Sequence, residues 1–163
     1  MRRLILLIIL PLLALCVFTG LVRSSPRGTI NQADLAEKRV YAYRDWQSVG
    51  VILHNGDRFT IEAEGEWLYT PVGGYNGPEG HRTYWAPDFY PLPGGPRGGC
   101  LIGRIGEGGQ PFYVGKRHLS AAGSNGTLYL RINDDMRSDN RGFLTIVLTV
   151  EKPEREESEG EGY

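Results

Sequence analysis

Cysteine is almost absent from this chain, and that is the first constraint on it. Cys16 and Cys100 are the only two among 163 residues. Cys16 falls inside an apolar N-terminal run, so Cys100 is expected to lack a partner in the folded part. A disulfide framework is thereby excluded as the source of stability. Leu15 is too large to be the small residue that usually precedes a lipidated cysteine. Charge of one sign is missing as well: 18 Lys and Arg against 19 Asp and Glu leave a net charge of -1. No basic footprint marks nucleic acid as a partner.

Several catalytic signatures are also absent. No His/Cys cluster has zinc spacing, and no Gly-x-Ser-x-Gly elbow occurs. The glycines between Gly103 and Gly109 carry no Gly-Lys-Ser/Thr ending of a phosphate loop. Glu62, Glu64 and Glu66 are spaced by two and share one strand face. They read as a solvated surface rather than as the separated carboxylates of a glycoside hydrolase. The chain is therefore read as a binding module and not an enzyme, with a glycan hydrolase as the weakest alternative.

Glycine and proline are plentiful, at 23 and 10 residues, which favours short strands and many turns over long helices. At the N-terminus, Arg2 and Arg3 precede Leu4 to Val22, an uncharged apolar helix of roughly 19 residues, near the length that spans a bilayer. A signal-anchor and a cleaved signal peptide both fit. The long core and the lack of an A-x-A-like cleavage site favour the anchor. The expected organisation is an anchor or signal over 1-23, a linker over 24-39, a sandwich over 40-150 and an acidic disordered tail over 151-163. The domain is expected to be exported, either membrane-anchored on the periplasmic or extracellular side or secreted. Oligomeric state stays open.

Within 40-150 the signals are those of strands. Val49 to Leu53 and Arg58 to Ala63 flank His54-Asn55-Gly56-Asp57, and Asn-Gly between apolar runs predicts a hairpin. Glu66 to Tyr69, Cys100 to Ile105, Pro111 to Val114, Thr127 to Ile132 and Phe143 to Val150 read as further strands. Trp46 and Trp67 read as core. Pro71 to Gly99 is irregular, but its aromatic residues argue against disorder. Many short strands with glycine turns predict an all-β sandwich.

The densest chemistry lies at Asn133 to Gly142, where carboxylates, carboxamides and a hydroxyl crowd one turn. A hard cation such as Ca²⁺ takes several such oxygens. The alternative is a solvated turn with local Asx bonds, and Arg137 and Arg141 would partly neutralise the loop. Trp85 and nearby tyrosines offer flat rings for a sugar face, or else cover the end of the sandwich. His81 lies beside Glu79 and Arg82 and is a candidate lining residue.

In order, Asn55-Gly56-Asp57, Gly65-Glu66-Trp67-Leu68-Tyr69, Gly77-Pro78-Glu79-Gly80, Leu101-Ile102-Gly103-Arg104-Ile105-Gly106, Gly126-Thr127-Leu128-Tyr129-Leu130, Ile132-Asn133-Asp134 and Asp139-Asn140-Arg141-Gly142-Phe143 resemble the LecA-like (PA-IL-like) bacterial lectins. Those are jelly-roll β-sandwiches that bind galactose through calcium. The resemblance implies side-chain ligands to Ca²⁺ at Asp134, Asp139 and Asn140, with carbonyls from Tyr69 and from the loop centre at Arg137 or Ser138. It implies a galactose-like sugar or other glycan as partner, contacted by the loop side chains Asp134 and Asn140; His81, Tyr84 and Trp85 are ligand-binding candidates from their residue types and place in the irregular segment. Asp139 stands where the family has a carboxamide, the acidic loop is shorter, and the family's sugar-contacting histidine has no clear counterpart between Tyr84 and Asp88. A structural or protein-interaction sandwich of the cell envelope is the competing reading.

Overall fold

The computed structural model describes residues 37-153. The apolar N-terminal run and the end of the acidic tail lie outside the described residues, and with them the anchor, signal and disorder expectations. Among the described residues no helix is long and apolar enough to cross a membrane.

Ten strands build two antiparallel sheets: β1 (Lys38–Tyr41), β2 (Gln47–Leu53), β3 (Arg58–Glu64), β4 (Trp67–Thr70), β5 (Gly74–Asn76), β6 (Leu101–Ile105), β7 (Phe112–Tyr113), β8 (Arg117–Ala121), β9 (Gly126–Ile132) and β10 (Arg141–Glu151). One sheet runs β5-β4-β10-β3-β8, with β1 also paired to β10; the other runs β2-β9-β6-β7. The fold is an all-β sandwich, as the sequence predicts. The strand signals at 49-53, 58-63, 66-69, 100-105, 127-132 and 143-150 all fall on strands. β1 begins inside the stretch read as linker. β5 and β8 went unread: β5 is only three residues long, and β8 is an edge strand whose outward Arg117, Leu119 and Ala121 are exposed.

Alternation explains the core. On β10, Leu144, Ile146, Leu148 and Val150 point inward and sit opposite Val40, Ala63, Ile61 and Phe59. From the facing sheet come Leu128, Leu130 and Ile132 of β9, and Leu101 of β6. Period-two burial places one apolar side chain every second residue on the shared face. Each such Leu or Ile contributes roughly 1.5–3 kcal/mol. Phe112 lies over Gly103, where any Cβ would stand 2.8 Å from its ring. Trp67 is fully buried, as expected, and its indole N–H donates to the Gly99 carbonyl at 2.8 Å.

Two expectations need correction. Asn55-Gly56 does not close a hairpin, because β2 and β3 belong to different sheets. The turn is a corner between the layers. Gly56 has φ +91 there, and the buried Asp57 carboxylate accepts the His54 N–H at 2.8 Å. A local turn motif fixes the reversal but not which sheet the next strand joins. Trp46 is only half-buried; the Arg104 guanidinium stacks on its ring at 4.5 Å. It covers the outside of a sheet rather than the core.

The Asn133–Gly142 loop is also a corner. β9 lies in one sheet and β10 in the other. The loop therefore sits at one end of the sandwich, where the Pro71–Gly99 segment also gathers.

Candidate functional site

The loop begins as β9 runs out. Asn133 is fully buried and is spent on structure: its amide accepts the Leu92 N–H at 3.0 Å and donates to the Leu92 carbonyl at 2.9 Å. Its backbone takes a bond from Gly99 and gives one to Cys100. The long irregular segment is thereby pinned to the loop.

Asp134, 1% exposed, turns its carboxylate inward. One oxygen accepts the Asn140 side-chain N–H at 2.8 Å, the other the Met136 backbone N–H at 3.3 Å. Burial pushes the Asp134 carboxyl above the usual range, while those two bonds and a third from Tyr90 pull it back. A single 3-10 turn at Arg137–Asp139 then returns Asn140 to the Asp134 carboxylate. Asn140 is 3% exposed and also donates to the Ala42 carbonyl at 3.4 Å.

Two oxygens are left over. Asn140 Oδ1 and Asp139 Oδ1 are buried and receive no hydrogen bond. A buried acceptor without a donor costs about 1–3 kcal/mol, so such atoms in a native site call for a missing partner. Both belong to the residues that the sequence marks as cation ligands. An oxygen-seeking cation fits this donor set.

β4 meets the start of β10, where Gly142 pairs with Trp67 and Arg141 with Leu68; Tyr69 is the next residue of β4 and Asn140 the residue before β10. On the other side of β4, the ladder to β5 is irregular between Leu68 and Thr70. At the loop centre the Arg137 carbonyl already accepts the Asn140 N–H at 3.3 Å. That leaves Ser138, which is exposed, as the freer of the two loop-centre carbonyls. Among the described residues no three His, Cys, Asp or Glu side chains form a metal cluster. The candidate ligand set contains only two side chains of those types, Asp134 and Asp139; the rest are amide and carbonyl oxygens.

The Tyr69 ring enters a different part of the site. Its hydroxyl bonds that of Tyr90 at 2.6 Å, and the Tyr90 hydroxyl lies within reach of Asp134. Burial holds the Tyr69 phenol at about 12 and pushes Tyr90 up further still. Beside this pair opens a cleft of about 290 Å³, lined by Tyr69, Thr70, Val72, His81, Tyr84 and Tyr90. His81 accepts the Tyr84 N–H on Nδ1 at 3.0 Å, which leaves Nε2 as the N–H donor of its neutral ring. Its ring meets Tyr84 edge-on, with centroids 6.4 Å apart.

Thus Asp134 and Asn140 are brought together, Asp139 precedes Asn140 on the 3-10 turn, the Tyr69 hydroxyl reaches toward Asp134 through that of Tyr90, and His81 and Tyr84 line the neighbouring cleft. Trp85 is not among the residues lining that cleft. It is 58% exposed, and one ring face is taken by the Arg97 guanidinium at 3.4 Å. Arg97 lines a separate cleft of about 410 Å³ with Glu79, Gly95, Pro96 and Tyr113.

Sequence reasoning missed Tyr90, Arg131 and Asp45. Tyr90 looked like one aromatic among several in an irregular stretch. Arg131 alternates with buried strand residues and so reads as outward and solvated. It is in fact 4% exposed, donating to the carbonyls of Ile132 and Asp134 and to the Asp45 carboxylate. Arg137, expected to neutralise the loop, instead reaches Asp45 at 3.2 Å.

No protein-family model matches this chain, and no curated protein matches it. Among solved structures it is similar to the EclA N-terminal domain, described as a PllA-like lectin. The two share 23% sequence identity with a TM-score of 0.58, over 74% of this chain and 98% of that one. The likeness is one of fold: this sandwich shares the architecture of that domain.

Proposed function

We propose that this domain is a carbohydrate-binding module in which Ca²⁺ joins the protein to the sugar. The observation that carries the reading is the pair of buried, partnerless oxygens on the adjacent residues Asp139 and Asn140, the second of which is bonded to the buried Asp134 carboxylate. These three side chains, with the Tyr69 and Ser138 carbonyls, would hold the ion. When bound, calcium supplies open positions that accept vicinal sugar hydroxyls. The chain's own residues shape the rest: His81 offers an Nε2 donor, and Tyr69, Tyr84 and Tyr90 supply ring surface in the adjoining cleft. Galactose-like sugars are the first to test, because the sequence resembles a family that binds them. Display on the cell envelope through the N-terminal segment is part of the same proposal.

The competing reading is an envelope sandwich that has lost sugar binding. One observation favours it: both Asp134 oxygens already accept internal hydrogen bonds, so that carboxylate is satisfied without an ion. Thermal unfolding with Ca²⁺ and with EDTA separates the two, followed by a glycan array in calcium. The lectin reading requires a calcium-dependent rise in Tm and calcium-dependent array binding. If neither occurs, the structural reading stands.

A further inference from the structure

The acidic loop carries its own arginine, and the fold holds that arginine elsewhere. Arg137 lies three residues after Asp134 and two before Asp139. A guanidinium free to fold back over those carboxylates would oppose a cation there. Its terminal nitrogen is instead 3.2 Å from one oxygen of Asp45. The other Asp45 oxygen receives Arg131 at 2.6 Å, and the Trp46 backbone N–H at 2.9 Å. Arg131 is anchored beneath the loop by its bonds to the Ile132 and Asp134 carbonyls. Asp45 is therefore fixed by a buried arginine and presents its second oxygen to Arg137. Its own side chain is 58% exposed, so it is not a core requirement of the sandwich.

We infer that Asp45 is a positioning residue that keeps Arg137 off the cation loop and so sets the affinity of the loop for Ca²⁺. The inference rests on the calcium reading above. Moving one positive charge from the carboxylates to an outside partner raises the local negative potential felt by an incoming cation.

Calcium titration calorimetry on the full-length protein tests it, with Asp45→Asn, Arg137→Gln and the double variant. Asparagine keeps an oxygen for Arg131 but gives up the charge that attracts Arg137. Asp45→Asn is expected to weaken calcium binding roughly three- to fivefold, the upper part of the range of a partly exposed ion pair. The loss should shrink at high salt, where the freed guanidinium is screened. Arg137→Gln should bind at least as tightly as the wild type. The double variant should return to within about twofold of Arg137→Gln, the sign of strong coupling between the two sites. Wild-type affinity in Asp45→Asn overturns the inference. So does a double variant as weak as Asp45→Asn, which would assign the effect to backbone support through Arg131. A wild type that takes up no calcium removes the underlying reading, and this inference with it, before any variant is compared.

Discussion

Replacing Asp134 by Asn separates the architectural role of this side chain from its proposed ionic role. The change is isosteric and the site is closed, at 1% exposure, so volume is conserved. Without calcium the losses are small. The bond from Asn140 at 2.8 Å falls from charge-assisted to neutral, and the Met136 N–H at 3.3 Å loses an acceptor if the amide nitrogen replaces that oxygen. Together these cost about 1–2 kcal/mol. Against them stands relief of a desolvated carboxylate, whose raised pKa shows that burial disfavours its charge. The net change in calcium-free stability is expected to stay within about 1 kcal/mol. Calcium should tell the two proteins apart. A site filled at a hundred times its Kd stabilises by about 2.7 kcal/mol. For a domain of this size that is a Tm rise of about 10 °C. Differential scanning calorimetry in EDTA and in excess calcium should show that rise in the wild type and none in Asp134→Asn. An equal rise in both proteins would refute the assignment of Asp134 as a ligand.

Other expectations follow from the same contacts. Tyr90→Phe removes the 2.6 Å bond to Tyr69 and a donor near Asp134, so urea unfolding should show a loss of about 1–2 kcal/mol. Gly99→Ala should cost more, at least about 2 kcal/mol: φ is +75 and the new Cβ would stand 2.6 Å from the Tyr69 ring. Its melting temperature should fall, and sugar affinity with it, as the ring shifts in the cleft. At alkaline pH, Tyr69 stays protonated in the fold to about 12, against 10.0 in the unfolded chain. Its contribution is complete below pH 10 and disappears as pH rises through 12, a loss of roughly 2–3 kcal/mol from this group. Tyr69→Phe should flatten that part of the pH–stability curve; an unchanged curve would contradict it.

Much of this was legible in the chain. The strands of the core announce themselves by alternation, because a pleated strand sends successive side chains to opposite faces and one face must be dry. Leu144, Ile146, Leu148 and Val150 need no structure to be recognised as a buried row. The oxygen-rich composition of Asn133–Gly142 and the family resemblance together marked Asp134, Asp139 and Asn140, and the fold joins two of them, Asn140 donating to Asp134. β8 stayed hidden because an edge strand has little apolar area to bury and so carries a weak pattern.

What tertiary structure alone decided is which groups are already spoken for. Asn133 and Asp134 look like equivalent donors in sequence. The fold commits one to holding Leu92 and turns the other toward Asn140. Asn55-Gly56 reads as a hairpin turn, yet the next strand joins the other sheet, because pairing depends on distant partners that a local motif does not encode. Arg131 draws no notice in the sequence and Arg137 reads as partly neutralising its own loop, but Arg131 is buried with a bond to Asp45, and Asp45 diverts Arg137. Residue types and spacing fixed the inventory of oxygens and the rhythm of the strands, since both are local. Burial, charge pairing and the two oxygens of the loop left without donors arise from chain segments far apart in sequence, and only the folded chain brings those together.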